Sequence, residues 1–339
     1  MGLDIADIVA AEPRELADFR GRAVAIDAYN ALYQFLSSIR QPDGTQLMSP
    51  EGKVTSHLAG LIYRNSSLLE VGVRPVYVFD GKPHPLKSST ISERRSRREA
   101  AEVEWREALE AGDMEKARTK AQQSTRLTGD MVQESADLLG LLGIPCIMAP
   151  GEGEAQASHM AARGDVWAAA SQDYDSILFG SPRLIRNMTL SGRRKVPRRD
   201  IYVTIRPEMI EAERALAQLG MTREQLVDLG ILMGTDFNEG VRGIGPKKGM
   251  KLVKELGDAK AVMAAKGYDI PSIDAVREIF LKPNVTDAYE LKWKSPDVAG
   301  IVAFLCDRRG FSHQRIEATV GKIAAAKSAS AQKSIDAWF

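Results

Sequence analysis

Pro75-Val76-Tyr77-Val78-Phe79-Asp80 is a short apolar run, rich in β-branched and aromatic residues, that stops on a carboxylate. It reads as a strand buried on both faces. The pattern recurs along the chain. Residues 22–27 run Arg22-Ala23-Val24-Ala25-Ile26-Asp27, residues 144–154 pass from Ile144-Pro145-Cys146-Ile147-Met148 into Gly151-Glu152-Gly153-Glu154, and residues 167–175 pass from Trp167-Ala168-Ala169-Ala170 into Gln172-Asp173-Tyr174-Asp175. Helical patterns separate these runs, and Asp236 closes another apolar stretch. Short apolar strands alternating with helices predict an α/β fold: a central, mostly parallel sheet flanked by helices. Sites in such sheets form outside the carboxyl ends of the strands, so the seven acids should meet in one crevice.

Seven carboxylates cannot share a small space ionised unless cations neutralise them, because like charges raise one another's pKa. Oxygen-only ligands favour Mg²⁺ or Mn²⁺. Helix capping accounts for any single acid after a strand, but it does not account for the whole set.

Composition narrows the classes. With 46 Lys and Arg against 45 Asp and Glu in 339 residues, the chain can engage nucleic acid only through local basic patches. Cys146 and Cys306 lie in apolar contexts and suggest a reducing compartment. Four histidines make a zinc site a poor expectation. No apolar run approaches the roughly 20 residues needed to span a bilayer, and the start lacks a signal-peptide pattern. A soluble, intracellular protein is expected.

Three stretches depart from the α/β background. Residues 85–130 are charged and helix-prone and read as a helical insertion; Lys87, Arg94 and Arg98 fall at i, i+7 and i+11, on one stripe beside Asp80. In Gly243-Ile244-Gly245-Pro246-Lys247-Lys248-Gly249, two glycines and paired lysines precede a helical pattern, with an apolar helix near 224–234 before them. This is a helix-hairpin-helix signature, a backbone cradle for phosphate that positions duplex without reading it. A further basic run, Arg193-Arg194-Lys195 with Arg198 and Arg199, reads as an exposed loop or hairpin. Finally, residues 325–331 are small and polar enough for a flexible linker, after which Gln332, Ile335 and Trp338 would line one side of a 3₁₀ turn and Trp338 and Phe339 would serve as aromatic anchors.

In order, these features resemble the structure-specific flap endonuclease family (5′ nucleases of the XPG/RAD type), over essentially the whole chain and in its archaeal form. The resemblance rests on Met1-Gly2-Leu3, Val24 to Tyr29, Thr55-Ser56-His57-Leu58, Val76 to Pro83, Pro150 to Gln156, Ser171 to Asp175, Met233 to Asp236, and Arg242 to Lys247. It implies a single nuclease domain over 1–324 (an N-terminal segment over 1–84, a helical arch over 85–130, and an internal segment over 131–324 with the hairpin element at about 224–257), the linker, and a peptide over 332–339 that docks on the sliding clamp PCNA.

By that resemblance the activity is hydrolysis of a phosphodiester near the junction of a 5′ flap, in Okazaki fragment maturation and repair, with two Mg²⁺ ions (or Mn²⁺) as cofactors. Asp80, Glu152, Glu154, Asp173 and Asp175 hold the metals, with Asp27 and Asp236 as direct or water-mediated ligands. Lys87 and Arg94 offset charge on the phosphate, and Tyr33 stacks on the nucleotide beside the cut. Gly2, Arg98, Gly243, Gly245, Lys247 and Lys248 contact DNA, a K⁺ ion sits on carbonyls of the hairpin, and Gln332, Ile335, Trp338 and Phe339 bind the clamp. The partners implied are branched DNA and the clamp, for a protein that is monomeric alone, binds no membrane and works in the cytoplasm at the nucleoid. Gly240, Glu93, Pro50 and Lys53 depart from the family's usual residues, which bears on flap selection and cation binding. Two competing readings, a catalytically idle junction adaptor and a metal-dependent phosphatase, leave respectively the acid set or the hairpin, arch and tail unused.

Overall fold

The computed structural model describes residues 3–190, 193–195 and 202–336, the side chains of 193–195, 202–203 and 327–336 excepted. The strands are β1 (Glu12–Pro13), β2 (Ala23–Asp27), β3 (Arg74–Phe79), β4 (Cys146–Met148), β5 (Ala168–Ala170), β6 (Arg183–Arg186), β7 (Arg193–Lys195), β8 (Tyr202–Thr204) and β9 (Glu208–Glu211). Seven form one sheet in the order β1-β9-β6-β5-β2-β3-β4. The pairs among β6, β5, β2, β3 and β4 are parallel, whereas β9 pairs antiparallel with both β6 and β1. The chain builds outward from β2 through β3 to β4, then returns to the other side of β2 with β5. That reversal opens a crevice at the carboxyl ends of β2 and β5. The sequence foresees β2 to β5; β6, β9 and β1 are completed by tertiary pairing. β7 and β8 make a separate antiparallel ribbon, so the basic run at 193–195 is a hairpin strand.

The helices divide by the surface they cover. On one face α1 (Ala28–Ser38), α2 (Ser56–Glu70) and α5 (Gly129–Leu141) join the C-terminal α13 (Val298–Val302) and α14 (His313–Asp336) around Leu32, Phe35, Leu61, Tyr77, Phe79, Leu138 and Ile316. On the other, α6 (Gly153–Arg163) packs Ala157 and Met160 on Ala25, Val76 and Val78, and an extended strap with Tyr289, Leu291 and Trp293 covers them. Beside the sheet, α7 (Asp175–Leu178), α8 (Ala212–Leu219), α9 (Arg223–Met233), α10 (Pro246–Leu256), α11 (Ala259–Lys266) and α12 (Ile273–Leu281) enclose a second core around Phe179, Leu229, Phe237 and Phe280.

Two insertions overhang the sheet end. α3 (Ser88–Glu110) and α4 (Met114–Gln123) form a helical hairpin whose facing residues are the buried alanines Ala101, Ala108, Ala117 and Ala121. Its turn uses Gly112 at φ +72°. Small residues let the two helices close on one another while their outer faces carry charge. Glu93 lies on such an outer face and pairs with Arg97 one turn on. The second insertion is the α9–α10 pair with its glycine hairpin.

The tail corrects one expectation. α14 runs without interruption to Asp336, so 325–331 is helical rather than a flexible linker, and Gln332 and Ile335 belong to that helix rather than to a 3₁₀ turn. The stretch is rich in alanine with neither glycine nor proline after Gly321, and alanine has the best intrinsic helix propensity. Gly2, Trp338 and Phe339 lie outside the described residues.

Candidate active site

All seven carboxylates line one cleft of about 150 Å³, together with Tyr29, Asn30, Tyr33, Lys87, Arg94 and Phe237. Each acid arrives by a different local route. Asp27 ends β2 and caps α1, its Oδ1 accepting Asn30 N–H at 3.0 Å; the capping role and the cleft role are both real. Asp80 follows β3 and accepts Gly153 N–H at 2.6 Å. A Cβ on Gly153 would stand 2.8 Å from that carboxylate, so glycine is what lets the start of α6 approach Asp80.

Glu152 stands at the N-cap position of α6 without a side-chain capping bond, and Glu154 lies in the first turn of that helix. Ser176 donates to one oxygen of Glu154 from both its backbone N–H (3.0 Å) and its hydroxyl (2.5 Å). Asp175 accepts Leu3 N–H at 2.9 Å, which ties the start of the chain to the cleft. Asp173 is approached by the Asn30 amide at 3.5 Å. Asp236 comes from the tight 235–238 turn after α9, where Thr235 and Asn238 pair through backbone and side chains.

Two cations reach in from the arch. Lys87 bonds Glu152 and lies 3.4 Å from Asp236, and Arg94 bonds Asp236. Arg98, further along α3, lies over the Tyr33 ring at 4.9 Å from its centroid. Two members of the stripe read from the sequence, Lys87 and Arg94, therefore face the acids, and Tyr33 stands at the cleft wall beneath the third, Arg98.

The electrostatics carry the signature of an overcharged site. Burial, then the charge of Asp80, pushes Asp27 up to about 8. Burial and Glu152 push Asp80 to about 6, and burial with Asp173 pushes Asp175 to about 7. Burial and the neighbouring carboxylates raise Glu154 and Asp173 as well. Asp236 is the exception: burial would raise it, but Arg94 and Lys87 outweigh that and hold it below its ordinary value. Burial alone would lower Lys87; Glu152 and Asp236 raise it instead. Two basic side chains thus do not neutralise seven acids.

Among the described residues no group of three or more His, Cys, Asp or Glu side chains forms a ready-made metal cage. Hydrated hard cations need none, since Mg²⁺ keeps several waters and takes one or two carboxylates directly. An all-oxygen donor set in which burial first, and neighbouring carboxylates second, raise Asp27, Asp80, Glu154, Asp173 and Asp175 fits such cations.

The hairpin is exposed at Gly243, Gly245, Lys247 and Lys248. Gly243 has φ +82°, whereas Gly245 has ordinary extended backbone and nothing within 4 Å of an added Cβ. Among the described residues nothing demands glycine at 245. Gly240 is different, because a Cβ there would stand 2.1 Å from the Met233 backbone carbon; close packing against α9 explains that departure. Pro50 packs against Gly310, whose added Cβ would meet it at 2.5 Å.

Comparison with known proteins decides the family. The XPG N-terminal domain matches residues 3–101 and the XPG I-region residues 143–236. The flap endonuclease 1 of Pyrococcus abyssi is 49% identical over 340 residues, covering 100% of this chain and 98% of that protein, and that of Aeropyrum pernix is 50% identical over 349 residues, covering both completely. This chain belongs to the flap endonuclease 1 family. The flap endonuclease 1 structure from Methanococcus jannaschii superposes with a TM-score of 0.77 at 41% identity, over 97% of this chain and all of that one. The catalytic core of Rad2 in complex with DNA substrate superposes at 0.72 with 25% identity, over 95% of this chain and all of that one. The chain is accordingly a structure-specific flap endonuclease, a hydrolase of DNA phosphodiester bonds from a divalent-metal-dependent family, in its archaeal form. No described helix is long and apolar enough to cross a membrane.

Ser176 and Asn30 are polar site residues that sequence reading misses, as it does the cleft-lining rings of Tyr29 and Phe237. Ser176 and Asn30 are neighbours of acids with no spacing of their own to mark them.

Proposed function

We propose that the chain cuts 5′ flaps in the acidic cleft, hydrolysing the phosphodiester near the junction to leave a 5′-phosphate on the downstream duplex and a nick ready for ligation. One observation supports this above all: seven carboxylates converge under two arch cations. Asp80, Glu152, Glu154, Asp173 and Asp175 would hold two Mg²⁺ ions, with Mn²⁺ as a substitute and Asp27 and Asp236 as direct or water-mediated ligands. Bound there, such ions supply an activated water and charge stabilisation at the scissile phosphate and the leaving oxygen.

The chain's own residues do the rest. Lys87 and Arg94, held by Glu152 and Asp236, are preorganised to face charge that develops on the phosphate. Tyr33 offers a ring for the nucleotide beside the cut, with Arg98 against the backbone. Gly243 and Gly245 let the hairpin backbone approach the downstream duplex, Lys247 and Lys248 add charge, and the hairpin carbonyls offer a K⁺ site. The C-terminal residues Gln332, Ile335, Trp338 and Phe339 would dock on PCNA, and the protein would act as a monomer at the archaeal nucleoid during Okazaki fragment maturation and repair.

Asp173→Ala tests the reading with a 5′-labelled double-flap DNA and a phosphomonoester control. Mg²⁺-dependent flap cleavage should vanish while flap binding is retained. Single-turnover cleavage at close to the unaltered rate would overturn it.

A further inference from the structure

A second cavity, of about 270 Å³, adjoins the acidic cleft. It lies where the segment after β3, the turn into α6, the end of α7 and α12 with the residues after it meet. Glu152 and Phe179 line both cavities, so the two share a wall. Its floor is apolar, from Phe179 and Ile279, and its rim carries Lys82, His84 and Lys282 beside the carboxylates of Glu152 and Glu278. Lys282 reaches Glu278 at 3.3 Å, whereas Lys82 and His84 make no ion pair among the described residues. None of these rim groups takes part in the chemistry assigned to the cleft.

The size selects the occupant. A cavity just under the ligand-pocket range has room for one unstacked base and excludes a duplex. An apolar floor beneath a lysine with no ion pair among the described residues, Lys82, is an arrangement that holds a base by its faces while its phosphate stays at the rim. A strand lying across the cleft continues on both sides of the cut. Its paired side belongs to the duplex, so only its unpaired side can enter.

We propose that this pocket is a subsite for the first unpaired nucleotide of the 5′ flap, holding the leaving strand beside the scissile phosphate. The assignment rests on the 5′-flap reading above and specifies which portion of the substrate the second cavity reads.

The test compares a one-nucleotide 5′ flap with a nicked duplex of the same sequence. Ala275, exposed on the first turn of α12, lines the pocket, and Ala275→Trp fills it with an indole. Ala275→Trp and Lys82→Ala should each reduce the preference for the flap by about tenfold, the loss expected when one stacked base is displaced. Cleavage of the nicked duplex and the melting temperature should stay as in the unaltered protein. In Ca²⁺, 5-iodouracil at the first unpaired position should cross-link within 82–84 or 275–284. Equal slowing of both substrates, or cross-links confined to the arch, would overturn the pocket assignment alone. An unaltered protein that shows no preference for flap over nick would bring down the 5′-flap reading and the pocket with it.

Discussion

Ser176 and Glu154 are joined by two hydrogen bonds to a single carboxylate oxygen, one from the backbone and one from the hydroxyl. The fully buried serine thereby fixes the plane of the carboxylate and leaves its other oxygen turned to the cleft. Ser176→Ala should remove one bond and loosen that orientation, lowering the apparent Mg²⁺ affinity by about tenfold, in line with the typical 10- to 100-fold cost of losing a group that orients a ligand. Saturating Mg²⁺ should restore most of the rate. Titration calorimetry with Ca²⁺ beside an Mg²⁺-dependence curve checks this; an unchanged affinity with a lowered maximal rate would refute it.

Lys87 and Arg94 are held by acids before any DNA arrives. Lys87→Ala and Arg94→Ala should each cost about 10²- to 10³-fold in single-turnover rate, with a much smaller change in DNA affinity. A defect confined to binding, with chemistry intact at saturation, would demote both to tethers.

The raised carboxylates set a pH dependence whose sign is definite. Asp27, Asp80 and Asp175 reach about 8, 6 and 7 without cations, above their ordinary 3.8. A carboxylate raised in the folded state binds its proton more tightly there, so the contribution of these three groups to cation-free stability is fully present below about pH 3.8 and is lost as pH rises from there through about 6 to 8. Cations bind the ionised form and compete with protons. The rise in melting temperature on adding Mg²⁺ should therefore be larger at pH 8.5 than at pH 5.5, which differential scanning fluorimetry can read. An equal rise at both would contradict the shared-site electrostatics.

The two hairpin glycines should separate fold from binding. Gly245→Ala puts a methyl group into open space on ordinary backbone, so melting should be unchanged while duplex affinity and its salt slope fall as backbone contacts to phosphate are lost. Gly243→Ala forces a side chain to φ +82° and should also cost about 1–2 kcal/mol of stability. Should Gly245→Ala bind duplex normally, the hairpin is not the cradle.

Deleting residues 332–339 touches no cleft side chain. Cleavage of a free flap should be unaltered, and binding to and stimulation by the cognate clamp should be lost; Trp338→Ala with Phe339→Ala should reproduce most of that loss. Undiminished clamp affinity in calorimetry would sink the docking assignment.

Strand type, strand ends and the acids upon them are legible in the sequence because they are local: apolar runs of strand length stop on carboxylates, and a parallel sheet gathers its strand ends on one edge. The arch stripe of Lys87, Arg94 and Arg98 is legible for the same reason, through helical spacing. The hairpin, too, is written in consecutive residues. What only the tertiary structure decides is long-range pairing. Ser176 meets Glu154 because α7 closes on α6, Leu3 meets Asp175 from the other end of the chain, and Gly240 is glycine because the Met233 backbone leaves it no room. The helical course of α14 through 325–331 is likewise missed when small and polar residues are read as linker, although alanines without glycine or proline sustain a helix. The second cavity has no pattern at all, because its walls come from four separated segments that share nothing until the helices beside the sheet pack against its edge.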